Sequence, residues 1–118
     1  MILLIDDNEP ERALTRKMLE EEGYTVREAV DGAEGVRLFR ELKPKLVICD
    51  LLMPGKSGFE AVQEIRTLAP AACIIAISGV LFGLADHEKM RESFGFAAVI
   101  EKPFRRAQLI EIVRGVLF

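Results

Sequence analysis

Five short apolar runs, Ile2 to Ile5, Thr25 to Ala29, Leu46 to Cys49, Cys73 to Ile77 and Ala98 to Glu101, alternate with longer amphipathic stretches along the chain. This alternation is the pattern of βαβ units wound around a parallel sheet. Ile2-Leu3-Leu4-Ile5, Leu46-Val47-Ile48-Cys49 and Cys73-Ile74-Ile75-Ala76-Ile77 have no polar interruption, as central strands covered on both faces require. Thr25-Val26-Arg27-Glu28-Ala29 is more polar and suits a position near an edge.

The intervening stretches read as helices. The first runs from Pro10 to Glu22, with Asn8 or Glu9 as N-cap, proline in the first turn and Gly23 as a stop. Ala13, Leu14, Met18 and Leu19 give it a helical apolar face, expected to be chiefly core. The second spans about Gly32 to Leu42 and ends before Pro44. A third from about Ser57 to Leu68 points Phe59, Val62, Ile65 and Leu68 inward. A fourth covers about Leu84 to Phe94, and a fifth runs from Arg105 to the C-terminus. With 118 residues the chain has room for one domain and shows no linker or repeat. No apolar stretch approaches the roughly 18 residues of a membrane span. Sixteen Lys plus Arg against nineteen Asp plus Glu leave a net charge of −3 with no basic run, which argues against direct nucleic-acid binding. Cys49 and Cys73 sit within apolar runs and read as buried, reduced thiols, which fits the cytoplasm.

A (βα)5 chain with right-handed crossovers places helices on both faces of an open sheet, and ligands then sit beyond the carboxyl ends of the strands. Asp6 and Asp7 follow the first run, Asp50 the third, Ser78 the fourth and Lys102 the fifth. Crowded carboxylates need a compensating cation, and Mg²⁺ prefers one or two protein carboxylates, waters and a phosphoryl oxygen. With Mg²⁺ on Asp7 and Asp50, Lys102 supplies a second positive group for a phosphoryl oxygen, and Ser78 a neutral donor. Phosphoryl transfer asks a protein chiefly for such positioning and charge neutralisation, and an aspartate can itself be the nucleophile.

The segments Ile5-Asp6-Asp7-Asn8-Glu9, Val47-Ile48-Cys49-Asp50-Leu51-Leu52-Met53-Pro54-Gly55, Ile77-Ser78-Gly79 and Glu101-Lys102-Pro103-Phe104 resemble the CheY-like receiver domain of two-component response regulators in order, spacing and placement. The resemblance covers the whole chain. It implies a flavodoxin-like α/β three-layer sandwich, with a five-stranded parallel sheet of order 2-1-3-4-5, over residues 1–118 and with no output domain in this chain. It further implies that Asp50 accepts a phosphoryl group from the phosphohistidine of a histidine kinase or phosphotransfer protein. Asp7, Asp50 and the backbone carbonyl of Leu52 would hold Mg²⁺ (or Mn²⁺), with Asp6 helping through water. Lys102 would pair with phosphoryl oxygens, Gly79 would border them, and the bond from Lys102 to Pro103 would be cis. Ser78 would swing toward the phosphoryl group, and the surface change would serve a downstream target protein, a relay or a dimer. Such a chain is not a conventional enzyme, although it catalyses its own phosphorylation and dephosphorylation.

Four positions depart from the family pattern. Val99 stands where the family usually has the aromatic ring that turns with Ser78, Gly79 replaces the usual Ala, and the phosphoryl-flanking positions Leu52 and Val80 are both apolar. The Val80-Leu81-Phe82-Gly83-Leu84 stretch reads either as core or as an exposed patch for a partner. Gly55-Lys56-Ser57 mimics the end of a P-loop, but Asp50 occupies the first glycine position and Pro54 has no N–H. A haloacid dehalogenase-type phosphatase needs a second Asp where Leu52 stands. His87, flanked by Asp86 and Glu88, reads as solvated. The alternative from another class is a receiver-like interaction module that is never phosphorylated.

Overall fold

The structure is a computed structural model in which residues 1–51, 53, 57–79 and 84–117 are described, residues 84–87 by their backbone alone. Strands β1 (Ile2–Ile5), β2 (Val26–Ala29), β3 (Leu46–Asp50), β4 (Ile74–Ser78) and β5 (Ala98–Glu101) alternate with helices α1 (Glu9–Glu21), α2 (Gly32–Leu42), α3 (Gly58–Leu68), α4 (Leu84–Phe94) and α5 (Arg106–Leu117). The strands form one parallel sheet in the order β2-β1-β3-β4-β5, as the resemblance implied.

Because successive side chains of a strand point to opposite faces, the uninterrupted apolar strands feed two cores at once. Leu3, Ile5, Val47, Cys49, Ile74 and Ala76 face α2, α3 and the Met90 and Phe94 end of α4. Ile2, Leu4, Leu46, Ile48, Ile75, Ile77 and Ile100 face Leu19 of α1 and Leu109, Ile110 and Val113 of α5. The polar strand β2 lies at one edge, where Arg27 is exposed.

Local signals explain most boundaries. Asn8 caps α1 by accepting from the Glu11 N–H, Asp31 caps α2 through Glu34, and Ser57 with Glu60 forms a full capping box on α3. Several expected limits shift. Asp50 and Ser78 are the last residues of β3 and β4 rather than the first after them, because the parallel ladder extends to Asp50 beside Ile77 and Ser78 beside Glu101. Cys73 precedes β4 and is half-buried, while Cys49 is buried; both thiols are free.

The inner face of α1 also differs from expectation. Thr15 and Leu19, one helical turn apart, are its buried residues, whereas Leu14 is 56% exposed. Arg12 shares the inner face, reaching Glu28 of β2 and the Asp6 carbonyl just after β1. Leu68, also expected inward, ends α3 and is 45% exposed.

Candidate functional site

The carboxyl ends of β1, β3, β4 and β5 bring Asp6, Asp50, Ser78 and Lys102 to one edge of the sheet. Asp6, Asp50 and Ser78 are buried. Asp6 is fixed from three sides. Its N–H donates to the Ala29 carbonyl at 3.1 Å, its Oδ1 accepts from the Asn8 N–H at 2.9 Å, and its carbonyl accepts from Arg12 Nη1 at 2.8 Å.

Lys102 is the hub of the site. Its Nζ lies 2.9 Å from Asp50 Oδ2, 2.5 Å from Glu11 Oε2 and 3.7 Å from Asp6 Oδ2. Its backbone is set by the sheet, since the Lys102 N–H donates to the Ser78 carbonyl at 2.8 Å and the bond to Pro103 is cis. Gly79 is exposed beside the lysine stem; a Cβ there would stand 3.8 Å from Lys102 Cδ.

Asp50 is held at the end of β3 by a close helix approach. The Gly58 N–H donates to the Leu51 carbonyl at 3.1 Å, and a Cβ on Gly58 would fall 2.0 Å from the Asp50 carbonyl oxygen. Only glycine lets α3 begin this near the strand.

The electrostatics follow from three carboxylates around one ammonium. Burial raises the Asp6 carboxyl above its ordinary range; the charges of Asp50 and Glu11 push the same way, against the Asn8 N–H and Lys102. Burial works against the Lys102 charge, but hydrogen bonds to Glu11 and Asp50 and the field of Asp50 and Asp6 outweigh it and push its pKa up. Lys102 is therefore a fixed positive charge, not a proton shuttle. Cys49, buried beneath the site, has its thiol raised first by desolvation and then by Asp50 and Asp6, so it is no nucleophile.

Asp6, Glu11 and Asp50 each offer an oxygen within 4.8 Å of the others. This all-oxygen, anionic set fits a hard divalent cation such as Mg²⁺. Asp7, expected as a direct ligand, is exposed beside the cluster. Glu11 was not among the expected site residues, and the signal for it is its place in the first turn of α1, immediately after the carboxyl edge of β1. Val99 is half-buried in β5, opposite Ala76, and packs on the core beneath α3 and α4. Leu52 and Val80 lie outside the described residues, as do Gly55, Lys56 and the side chains of the Val80–Leu84 stretch and His87.

Next to the cluster a groove of about 430 Å³ runs between α1 and the turn after β5. Leu14, Met18 and Phe104 line it with Glu11 and Lys102. The exposure of Leu14 thus has a place: it faces this groove.

Comparison with known proteins agrees with this geometry. A model described as the response regulator receiver domain matches residues 2–114. The chemotaxis protein CheY of Halobacterium salinarum is 36% identical, over 98% of this chain and 95% of that one. Among solved structures, the receiver domain of NtrX from Brucella abortus superposes with a TM-score of 0.89 at 28% identity, covering 99% and 98% of the two chains. The response regulator TrrA of Thermotoga maritima, solved in complex with Mg²⁺–BeF, gives 0.85 at 32% identity over 98% and 96%.

Proposed function

This chain belongs to the family of response regulator receiver domains, and from that premise we propose that Asp50 takes up a phosphoryl group from a phosphohistidine and that the chain thereby signals to a partner. The observation that carries the proposal is the Lys102 ammonium 2.9 Å from Asp50 Oδ2, with the buried Asp6 carboxylate at its side.

Receiver domains bind Mg²⁺ at an acidic site, and here Asp6, Asp7 and Asp50, joined by the Leu52 carbonyl, are the groups that would hold Mg²⁺ or Mn²⁺. The ion, when bound, neutralises phosphoryl oxygens. Asp50 does the covalent work: a carboxylate oxygen forms a bond to phosphorus while the P–N bond of the donor breaks, and the imidazole nitrogen keeps the electron pair. Lys102, charged throughout, donates to a phosphoryl oxygen. Ser78, buried at the end of β4, offers its hydroxyl as the second donor and moves toward the group, drawing Gly79 with it. Val99 stands where the family usually has a ring, so the output does not run by ring rotation here.

The phosphodonor is a histidine kinase or phosphotransfer protein, and the groove at Leu14, Met18 and Phe104 beside Lys102 offers it an apolar footing. The output is taken by a downstream protein or a second receiver. Among the described residues no helix is long and apolar enough to cross a membrane, and a cytoplasmic site of action fits the reduced cysteines.

Incubation with Mg²⁺ and acetyl phosphate, read by intact-protein mass spectrometry, tests the proposal. Wild type should gain one phosphoryl group, Asp50→Asn none, and Lys102→Ala far less although it still binds Mg²⁺. An unmodified wild type that binds Mg²⁺ would instead favour an interaction module that works without phosphorylation.

A further inference from the structure

The groups around Lys102 include one that the phosphoryl chemistry does not call for. An ammonium has three N–H donors. In the resting protein two are engaged at 2.9 Å by Asp50 and 2.5 Å by Glu11, and Asp6 stands at 3.7 Å, an ion pair too long for a hydrogen bond. A phosphoryl oxygen arriving at Asp50 thus finds one donor held only by the longer ion pair to Asp6, and it competes with Asp50 and Glu11 for the other two.

The three carboxylates are not equally able to give way. The Asp6 and Asp50 side chains are 4% and 8% exposed, whereas that of Glu11 is 49% exposed. Water can replace Lys102 as the partner of Glu11, but not as the partner of the two buried groups. Glu11 is held where it is by local structure, since its N–H is tied to the Asn8 cap at 3.0 Å and the first turn of α1 aims its side chain at the lysine.

Resting on the reading of Asp50 as phosphoacceptor, we propose that Glu11 is a positioning residue that occupies Lys102 in the resting protein and restrains the charging of Asp50. It does so twice over. Glu11 competes with the phosphoryl group for Lys102 through its 2.5 Å contact, and its oxygen lies within 4.8 Å of the Asp50 oxygen, where a phosphoryl group adds like charge. Toward a divalent cation the same charge acts in the opposite sense and favours binding. Glu11 therefore has two effects of opposite sign on one reaction. It also lines the groove beside Lys102, so a docked phosphodonor carrying a basic side chain would draw it away and lift the restraint.

The opposed signs make the test. With acetyl phosphate as donor, an Asp50 oxygen bonds to phosphorus, the P–O bond to the acetyl group breaks, and acetate leaves with the electron pair. At saturating Mg²⁺, Glu11→Gln should charge about fivefold faster than wild type, the factor that a partly solvated ion pair is worth. In calorimetric titration of the uncharged protein, the same variant should bind Mg²⁺ about fivefold more weakly. Glu11→Asp, one methylene shorter and so drawn back from its 2.5 Å contact with Lys102, should also charge faster.

Equal or slower charging of Glu11→Gln, or weaker Mg²⁺ binding together with slower charging, would overturn the inference, because a merely structural role lowers both. A Glu11→Asp variant that charges like wild type would overturn the lysine contact as its basis. A wild type that takes no phosphoryl group while it binds Mg²⁺ would overturn the assignment of Asp50, and this inference with it.

Discussion

Residue chemistry divides into what a side chain is and what its neighbours make of it. Asp6, Asp50, Ser78 and Lys102 announce themselves in the sequence because each stands at the end of an apolar run, where strand alternation places it at one sheet edge. Glu11 does not, because its role depends on the phase of α1, and that phase is set by Asn8 as cap and by Arg12 inside. The Arg12, Arg16 and Glu28 cluster was equally hidden, since it joins residues 12 or more positions apart. Burial raises the Glu28 carboxyl, but hydrogen bonds from Arg16 and Arg12 outweigh it and leave the pKa lowered. A lowered folded-state pKa contributes stability above the ordinary carboxylate range, and that contribution is lost as pH falls through the folded value. Glu28→Gln should cost about 1 kcal/mol at pH 7, the upper end for a pair with some solvent access. In urea melts the difference from wild type should shrink toward pH 3.

At the scale of elements, the apolar runs located all five strands to within a residue or two, and Asn8, read as a cap, located the start of α1. The errors lie where tertiary contact overrides local pattern. β3 and β4 run on into Asp50 and Ser78 because the neighbouring strands offer ladder partners. Leu14 departs from the core because it faces the groove beside Lys102. Among the described glycines Gly58 has the closest approach, since a Cβ there would meet the Asp50 carbonyl at 2.0 Å and the Leu51 Cα at 2.5 Å. Gly58→Ala should destabilise the protein by about 3 kcal/mol. It should also slow phosphorylation more than its stability loss explains, because relief of the clash displaces Asp50 itself. Thermal melts paired with acetyl phosphate charging at a temperature where the variant is fully folded would separate the two effects.

For the molecule as a whole, one sheet carries two cores on its faces and the candidate site on one edge. Composition and the alternation of runs were enough to read that arrangement, because a strand buried on both faces has no other way to be covered than by helices on each side. The edge gathers the carboxylates of Asp6, Glu11 and Asp50, and the carboxyl of Asp6 is raised by burial and by its anionic neighbours. A cation that binds only the native site should stabilise the whole fold by mass action, about 2.7 kcal/mol at one hundred times its dissociation constant. Mg²⁺ should accordingly raise the melting temperature by several degrees in wild type and by much less in Asp7→Ala. An equal rise in both would remove Asp7 from the ion's surroundings.

The most direct measurement fixes where the phosphoryl group resides. Protein charged with acetyl phosphate and Mg²⁺, reduced with borohydride and digested, converts a phosphorylated aspartate to homoserine, which peptide sequencing by mass spectrometry locates. Homoserine at position 50 and nowhere else is the predicted result. Homoserine at position 6 or 7, or none in protein that has gained the mass of a phosphoryl group, would contradict it.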